Sequence, residues 1–98
     1  MEKFTPHCRL SVIQELVKQR KVRATQSALV GAAQLGLDFD AMLEVIGHLK
    51  KSDFYKSMTT HANHQIWQDV YRPVTAVGQL YLKLTFIEDV LIVSFKEL

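Results

Sequence analysis

The sequence predicts an α+β fold in which N-terminal helices pack on one face of a mainly antiparallel β-sheet. Apolar residues of the first half recur at the three- and four-residue spacing of helices, whereas those of the second half alternate with polar residues as in strands. Short links between the predicted strands favour antiparallel neighbours, and helices followed by strands are typical of α+β proteins. The 98 residues, 48% of them hydrophobic, suit one domain spanning residues 1–98.

The first helix is predicted to begin near Thr5, because threonine is a common N-cap and Pro6 suits the first helical position. Its apolar stripe consists of Leu10, Ile13, Leu16 and Val17. The segment "KVRAT" that follows is short and basic. We therefore expect it to form an edge strand or an extended link.

Two more helices are predicted from their end signals. Thr25 is the expected N-cap of the second helix, and Gly36 is expected to end it. Asp38 is the expected N-cap of the third. The apolar stripe of the third helix consists of Met42, Val45, Ile46 and Leu49, which we assign to the core.

Four strands are predicted from Asp53 onward, because apolar residues there recur at every second position. They are Phe54–Thr60, Gln65–Arg72, Gln79–Ile87 and Val90–Phe95. The links expected between them are Ala62-Asn63, Pro73–Gly78 and a tight turn at Glu88-Asp89.

Alternation predicts which side chains share a face of this sheet. The third strand places Leu80, Leu82, Leu84 and Phe86 on one face and Tyr81 and Lys83 on the other. If the helices cover the leucines, the face with Tyr81 and Lys83 stays open. Strict alternation also groups Lys56 with Phe54, Met58 and Thr60, and Gln68 with Arg72. Whether Lys56 and Gln68 join the open face depends on strand register.

Composition narrows the function classes. The net charge of +2 permits an anionic partner without requiring one. Cys8 is the only cysteine, so the chain forms no disulfide within itself and has no metal-type cysteine spacing. No signal-peptide run or membrane span is recognisable, so we expect a cytoplasmic protein without a membrane association. We expect no cofactor.

His61 and His64 flank a predicted turn and have two possible roles in addition to that of exposed turn residues. A metal site is disfavoured, because no third ligand occurs at a regular spacing. An acid–base role is chemically better suited, since imidazole titrates near pH ~6.5. We keep His61 and His64 as alternative acid–base residues and predict no metal site.

The remaining candidate site residues of the predicted sheet are lysine, arginine, tyrosine and glutamine. This set contains no serine or cysteine that could act as a nucleophile. Such a set suits RNA cleavage, where the nucleophile is the 2′-hydroxyl of the substrate itself. Cationic groups stabilise the phosphorane, a phenol protonates the leaving 5′-oxygen, and aromatic rings stack on bases. An ordinary amphipathic sheet with a basic, aromatic outer face is the other interpretation.

Five collinear stretches cover nearly the whole chain: "VRATQSAL", "LGLDFDAM", "SDFYKSMTTHANHQIWQDVYRP", "GQLYLKLT" and "DVLIVSFKE". They resemble the motility quorum-sensing regulator (MqsR) toxin family, the ribonuclease half of a bacterial type II toxin–antitoxin pair. The resemblance implies an α+β fold of the RelE-like bacterial ribonuclease type. It also implies sequence-selective mRNA cleavage and neutralisation by an antitoxin.

The same resemblance implies an active site made of Lys56, Gln68 and Tyr81, from the motifs "FYKSM", "IWQDV" and "GQLYLK". The hypothetical mechanism is metal-independent attack of the 2′-hydroxyl, which leaves a 2′,3′-cyclic phosphate and a 5′-hydroxyl. Because lysine and tyrosine have reference pKa values near ~10, Lys56 suits an electrostatic role better than that of the base. The secondary candidates for RNA contact are Tyr55, Met58, Arg72 and Lys83.

The partner implied by the resemblance is an antitoxin with a zinc-binding N-terminal part and a helix-turn-helix DNA-binding part. Zinc would belong to the antitoxin, and operator DNA would be reached only through it. Exposed sheet edges, among them "KVRAT", are candidates for strand addition by a partner. Two alternatives remain at this stage: a non-catalytic RNA- or DNA-binding regulatory module, and a structural partner subunit.

Overall fold

A computed structural model describes residues 1–98 and contains one sheet with three helices. The strands are β1 (Glu2–Lys3), β2 (Val22–Ala24), β3 (Phe54–Thr59), β4 (Trp67–Tyr71), β5 (Val74–Thr75), β6 (Gly78–Ile87) and β7 (Asp89–Glu97). The helices are α1 (Leu10–Lys18), α2 (Gln26–Gln34) and α3 (Phe39–Gly47), with one 3-10 turn at Lys51–Asp53. None of the helices is long and apolar enough to cross a membrane. The predicted α+β class is confirmed.

The sheet has the strand order β1-β3-β4-β6-β7-β2, with β5 paired to β6 outside this path. Strands β3, β4, β6 and β7 form the predicted antiparallel meander. The segment "KVRAT" supplies β2, an edge strand that runs parallel to β7. Strands β1 and β5 were not predicted, because two residues are too few to show alternation.

Helix α2 begins and ends as the sequence predicts, and helix α3 begins after its predicted N-cap. Leu49, predicted as part of the α3 stripe, follows the end of α3 at Gly47 and is still buried. The Thr25 hydroxyl accepts a hydrogen bond from Ala28 N at 3.1 Å. The Asp38 carboxylate accepts one from Ala41 N at 2.8 Å. Gly36 has a φ of +78° and follows the last turn of α2, which suits glycine because left-handed backbone carries no Cβ penalty there.

The predicted start of the first helix at Thr5 and Pro6 is wrong, since α1 begins at Leu10 with Arg9 as its N-cap. The reason is a contact distant in sequence. The buried carboxylate of Asp69 accepts hydrogen bonds from the backbone N–H groups of His7 and Cys8, each at 3.0 Å. These bonds tie the segment before α1 to strand β4.

The core lies between the helices and one face of the sheet. It contains the three predicted leucines of β6 together with Ile13, Met42 and Ile46 from the helices. Phe86, predicted to join them, is 41% exposed at the end of β6. Helix α2 comes unusually close to β7, because a Cβ on Gly31 would lie 2.1 Å from the Phe95 carbonyl oxygen. Only glycine fits this crossing without movement of the backbone.

Candidate active site

The opposite face of the sheet carries no helix and holds most of the polar candidates; we call it the open face. Its central row is set by strand register: Lys56 lies opposite Val70, Val70 opposite Lys83, and Lys83 opposite Ser94. Side chains in such a row point to the same face. Register therefore places Lys56 on the face that carries Lys83, which alternation alone left undecided.

Gln68 and Tyr81 lie on the open face on either side of this row. Gln68 is opposite Met58, toward the β3–β4 link, and Tyr81 is opposite Lys96, toward the other end. Strand geometry puts the backbones of Gln68 and Tyr81 roughly 14 Å apart. The structure thus brings Lys56, Gln68 and Tyr81 onto one face, with Lys56 in the row between the other two.

A β-bulge at Tyr55 corrects the predicted alternation of the first strand. Phe54 pairs with Tyr71 and Lys56 with Val70, so one extra residue lies between them on β3. Phe54 therefore turns to the core, where its ring meets that of Tyr71 edge-on at 5.5 Å. The predicted grouping of Phe54 with Lys56 is wrong for this reason.

The Tyr55 ring is partly exposed beside two cationic groups. The Arg72 guanidinium lies 3.8 Å from its centroid and the Lys56 ammonium 5.4 Å. Cations at these distances from an aromatic ring are attracted to its π-face. The structure thus brings two secondary candidates, Tyr55 and Arg72, next to Lys56.

Lys56 forms an ion pair with Glu2, a residue that the sequence analysis missed. The pKa of Lys56 is raised, mainly by its hydrogen bond to Glu2. Burial lowers this pKa by less, and the charges of Glu2, Tyr55 and Tyr81 add to the increase. Lys56 is therefore a cation at neutral pH. No periodic signal marks Glu2, because β1 has two residues and its position depends on pairing with β3.

Lys83 and Lys96 lie on neighbouring strands beside Tyr81. Their ammonium groups are 5.9 and 5.3 Å from the Tyr81 ring centroid. Burial lowers the pKa of Lys83, and the charges of Lys96 and Lys56 lower it further. The open face is thus a set of mutually repelling cations around aromatic rings. Lys96 was missed, although the alternation of β7 could have paired it with Tyr81.

His61 and His64 are exposed in the link between β3 and β4. This link lies beyond the row of Gln68, at the end of the face opposite to Tyr81. The Thr60 hydroxyl closes the turn, because it donates a hydrogen bond to the Asn63 carbonyl oxygen and accepts one from Asn63 N, each at 2.9 Å. The structure does not bring either histidine into contact with Lys56 or Tyr81.

The open face is a surface and not a closed pocket. The molecule has four cavities, and none of them lies on the open face. They are found in the groove between α1 and α3, at the start of α1, at the end of α3, and at the turn that precedes β2. No group of three or more histidine, cysteine, aspartate or glutamate side chains is placed to hold a metal ion. An extended polyanion is the ligand that such a surface suits best.

Comparisons with known proteins agree with this picture. Residues 5–97 match the family described as "Motility quorum-sensing regulator, toxin of MqsA". The mRNA interferase toxin MqsR of Escherichia coli (strain K12) is 64% identical over 97 residues, which cover 99% of each chain. The chain therefore belongs to the motility quorum-sensing regulator (MqsR) toxin family.

Proposed function

We propose that this chain is the toxin of a type II toxin–antitoxin pair and acts as a sequence-selective mRNA endoribonuclease that inhibits translation and growth. One observation carries the proposal: the open face gathers Lys56, Lys83, Lys96 and Arg72 around Tyr55 and Tyr81. Cations and aromatic rings in this arrangement suit a single RNA strand with unstacked bases. The name of the E. coli relative, mRNA interferase toxin, supports the same activity.

The proposed reaction is attack of the RNA 2′-oxygen on the adjacent phosphorus. The bond from phosphorus to the 5′-oxygen breaks, which leaves a 2′,3′-cyclic phosphate and a 5′-hydroxyl. Lys56 stabilises the negative charge of the phosphorane, a role that suits a cation whose pKa is raised. Tyr81 donates a proton to the leaving oxygen.

Gln68 lies on the other side of the Lys56 row from Tyr81. We assign it to the neighbouring nucleotide, where its amide orients a phosphate or a base edge. Met58, half-buried opposite Gln68, supplies apolar contact to a base. Arg72 and Lys83 bind phosphates, and Tyr55 stacks on a base.

The MqsR toxin family implies an antitoxin partner. For this chain we propose an antitoxin with a zinc-binding N-terminal part and a helix-turn-helix part that binds operator DNA. The free edge of β2 at one end of the sheet suits strand addition by such a partner. The RelE-like relationship of the fold and the cytoplasmic location stay predictions.

The test is incubation of the purified chain with a defined mRNA in EDTA, followed by mapping of the cleaved ends. We expect cuts at a recurring sequence with 5′-hydroxyl ends. Lys56→Ala and Tyr81→Phe should each slow cleavage by about 10²–10⁴-fold, the range for loss of a charge-stabilising or proton-transfer group. His64→Ala is the matched comparison and should cleave at the wild-type rate.

The alternatives give different results in the same experiment. A non-catalytic RNA-binding module would bind the mRNA and leave it intact. Cleavage that requires an added divalent metal would contradict the metal-independent mechanism. Loss of cleavage in His64→Ala alone would assign the acid–base role to the histidines of the link.

A further inference from the structure

The Glu2 carboxylate is the nearest acidic group to the candidate catalytic lysine, with which it forms a direct ion pair. The Glu2 side chain is 48% exposed, whereas that of Lys56 is 19% exposed. Of the two partners, the carboxylate is therefore the one more accessible to a bound substrate.

Backbone pairing fixes the position of Glu2. Strand β1 runs antiparallel to β3, with Glu2 opposite Met58 and Lys3 opposite Ser57. Since Met58 lies opposite Gln68, the residues Glu2, Met58 and Gln68 form one row of the open face, next to Lys56. Glu2 thus belongs to the same surface as the proposed active site, although it lies far from it in sequence.

Attack by a 2′-hydroxyl requires a group that accepts its proton. Lysine and tyrosine are protonated at neutral pH, whereas glutamate carboxylates are ionised. The other acidic residues of the sheet have different surroundings: Asp69 binds backbone N–H groups on the core side, Asp89 pairs with Arg23, and Glu97 lies opposite the core residue Leu80. Three titratable groups interact directly with Lys56 of the pair: Tyr55 of β3 and Tyr81 and Lys83 of β6. Two further cations lie behind them, Arg72 against the Tyr55 ring and Lys96 of β7 against the Tyr81 ring.

We propose that Glu2 is the general base of the ribonuclease reaction, an inference that rests on the proposed function. The Glu2 carboxylate takes the proton of the 2′-hydroxyl while the 2′-oxygen bonds to phosphorus. The leaving 5′-oxygen takes the proton of the Tyr81 hydroxyl as its bond to phosphorus breaks. Exchange with water then returns Glu2 to the carboxylate and Tyr81 to the phenol. Lys56 stays protonated throughout and stabilises the phosphorane.

The test measures single-turnover cleavage of a short RNA that contains a mapped cleavage site. Glu2→Gln keeps the shape of the side chain and removes its basicity, so the rate at saturating RNA should fall by about 10²–10⁴-fold. Affinity for the same RNA with 2′-O-methyl groups should not weaken. Glu2→Asp should retain part of the rate. The control is Glu15→Gln, an exposed position of α1, which should leave the rate unchanged.

The pH dependence separates a base from a residue that only positions Lys56. With a carboxylate as the base, the rate of the wild type should rise with pH only on the acidic side of its profile, because carboxylates are already ionised at neutral pH, and Glu2→Gln should lose this acidic limb. A slow Glu2→Gln variant that keeps the rise would overturn the proposal and leave Glu2 a positioning residue. A wild-type rate in Glu2→Gln would refute the inference but not the ribonuclease function. Failure of the wild type to cleave RNA would refute both.

Discussion

Substitution of Lys96 by glutamine tests whether RNA lies on the open face. The face holds three cations that are free of acidic partners: Lys83, Lys96 and Arg72. Lys56 is not among them, because it is paired with Glu2. Each neutralised phosphate of a single strand contributes about −0.7 to the slope of log affinity against log salt, so three contacts give about −2.1.

This slope converts into a measurable loss of affinity. Between 50 and 200 mM salt the wild type should lose affinity by about 18-fold, and Lys96→Gln, with two contacts left, by about 7-fold. The assay is fluorescence anisotropy with a 2′-O-methyl RNA, which has no free 2′-hydroxyl and is not cleaved. Lys18→Gln, in the last turn of α1, is the matched control and should keep the wild-type slope. Equal slopes for the two variants would place the RNA elsewhere.

Two further predictions concern stability. Lys83→Met removes a partly buried ammonium that neighbouring lysines repel, so its Tm at pH 7 should rise by about 2–4 °C, as expected for ~0.5 kcal/mol in a domain of this size. Because the fold lowers the pKa of Lys83, its destabilising effect is present below the folded pKa and disappears as pH rises through it. The gain in Tm should therefore shrink in alkaline buffer, and a gain independent of pH would contradict this account. Gly31→Ala should lower stability by about 1–3 kcal/mol, because the new methyl meets the Phe95 carbonyl. Gly47 has open space around its Cα and lies in α3, so Gly47→Ala should raise the free energy of unfolding by up to about 1 kcal/mol. Chemical denaturation measures both variants, and a change of the same sign for Gly31→Ala and Gly47→Ala would refute the close approach of α2 to β7.

The outcomes of the sequence predictions separate local from long-range causes. The caps at Thr25 and Asp38 and the helix end at Gly36 were predicted correctly, because each depends on residues within a few positions. The start of α1 was not, because Asp69 holds the preceding segment from more than 60 positions away. The helix-start signal at Thr5-Pro6 is therefore overridden, because the distant carboxylate of Asp69 binds the backbone N–H groups of the residues that follow it.

The candidate site shows the same division. Alternation along β6 was enough to predict that Tyr81 and Lys83 face away from the leucines, since both belong to one strand. The position of Lys56 required two tertiary features: the bulge at Tyr55 and the register with β4. A shift of one residue in either would turn Lys56 toward the core.

By itself, the sequence determined the α+β class, the helix caps, the polar face of β6 and the resemblance to a ribonuclease toxin family. The caps and the strand face depend on residues a few positions apart, and the fold class and the resemblance depend on the order of such segments along the chain, which the sequence displays directly. Only the tertiary structure decided that Lys56, Gln68 and Tyr81 share a face and that Glu2 is paired with Lys56. Pairing between strands distant in sequence fixes these contacts, and a two-residue strand such as β1 has no pattern of its own from which its partner could be predicted.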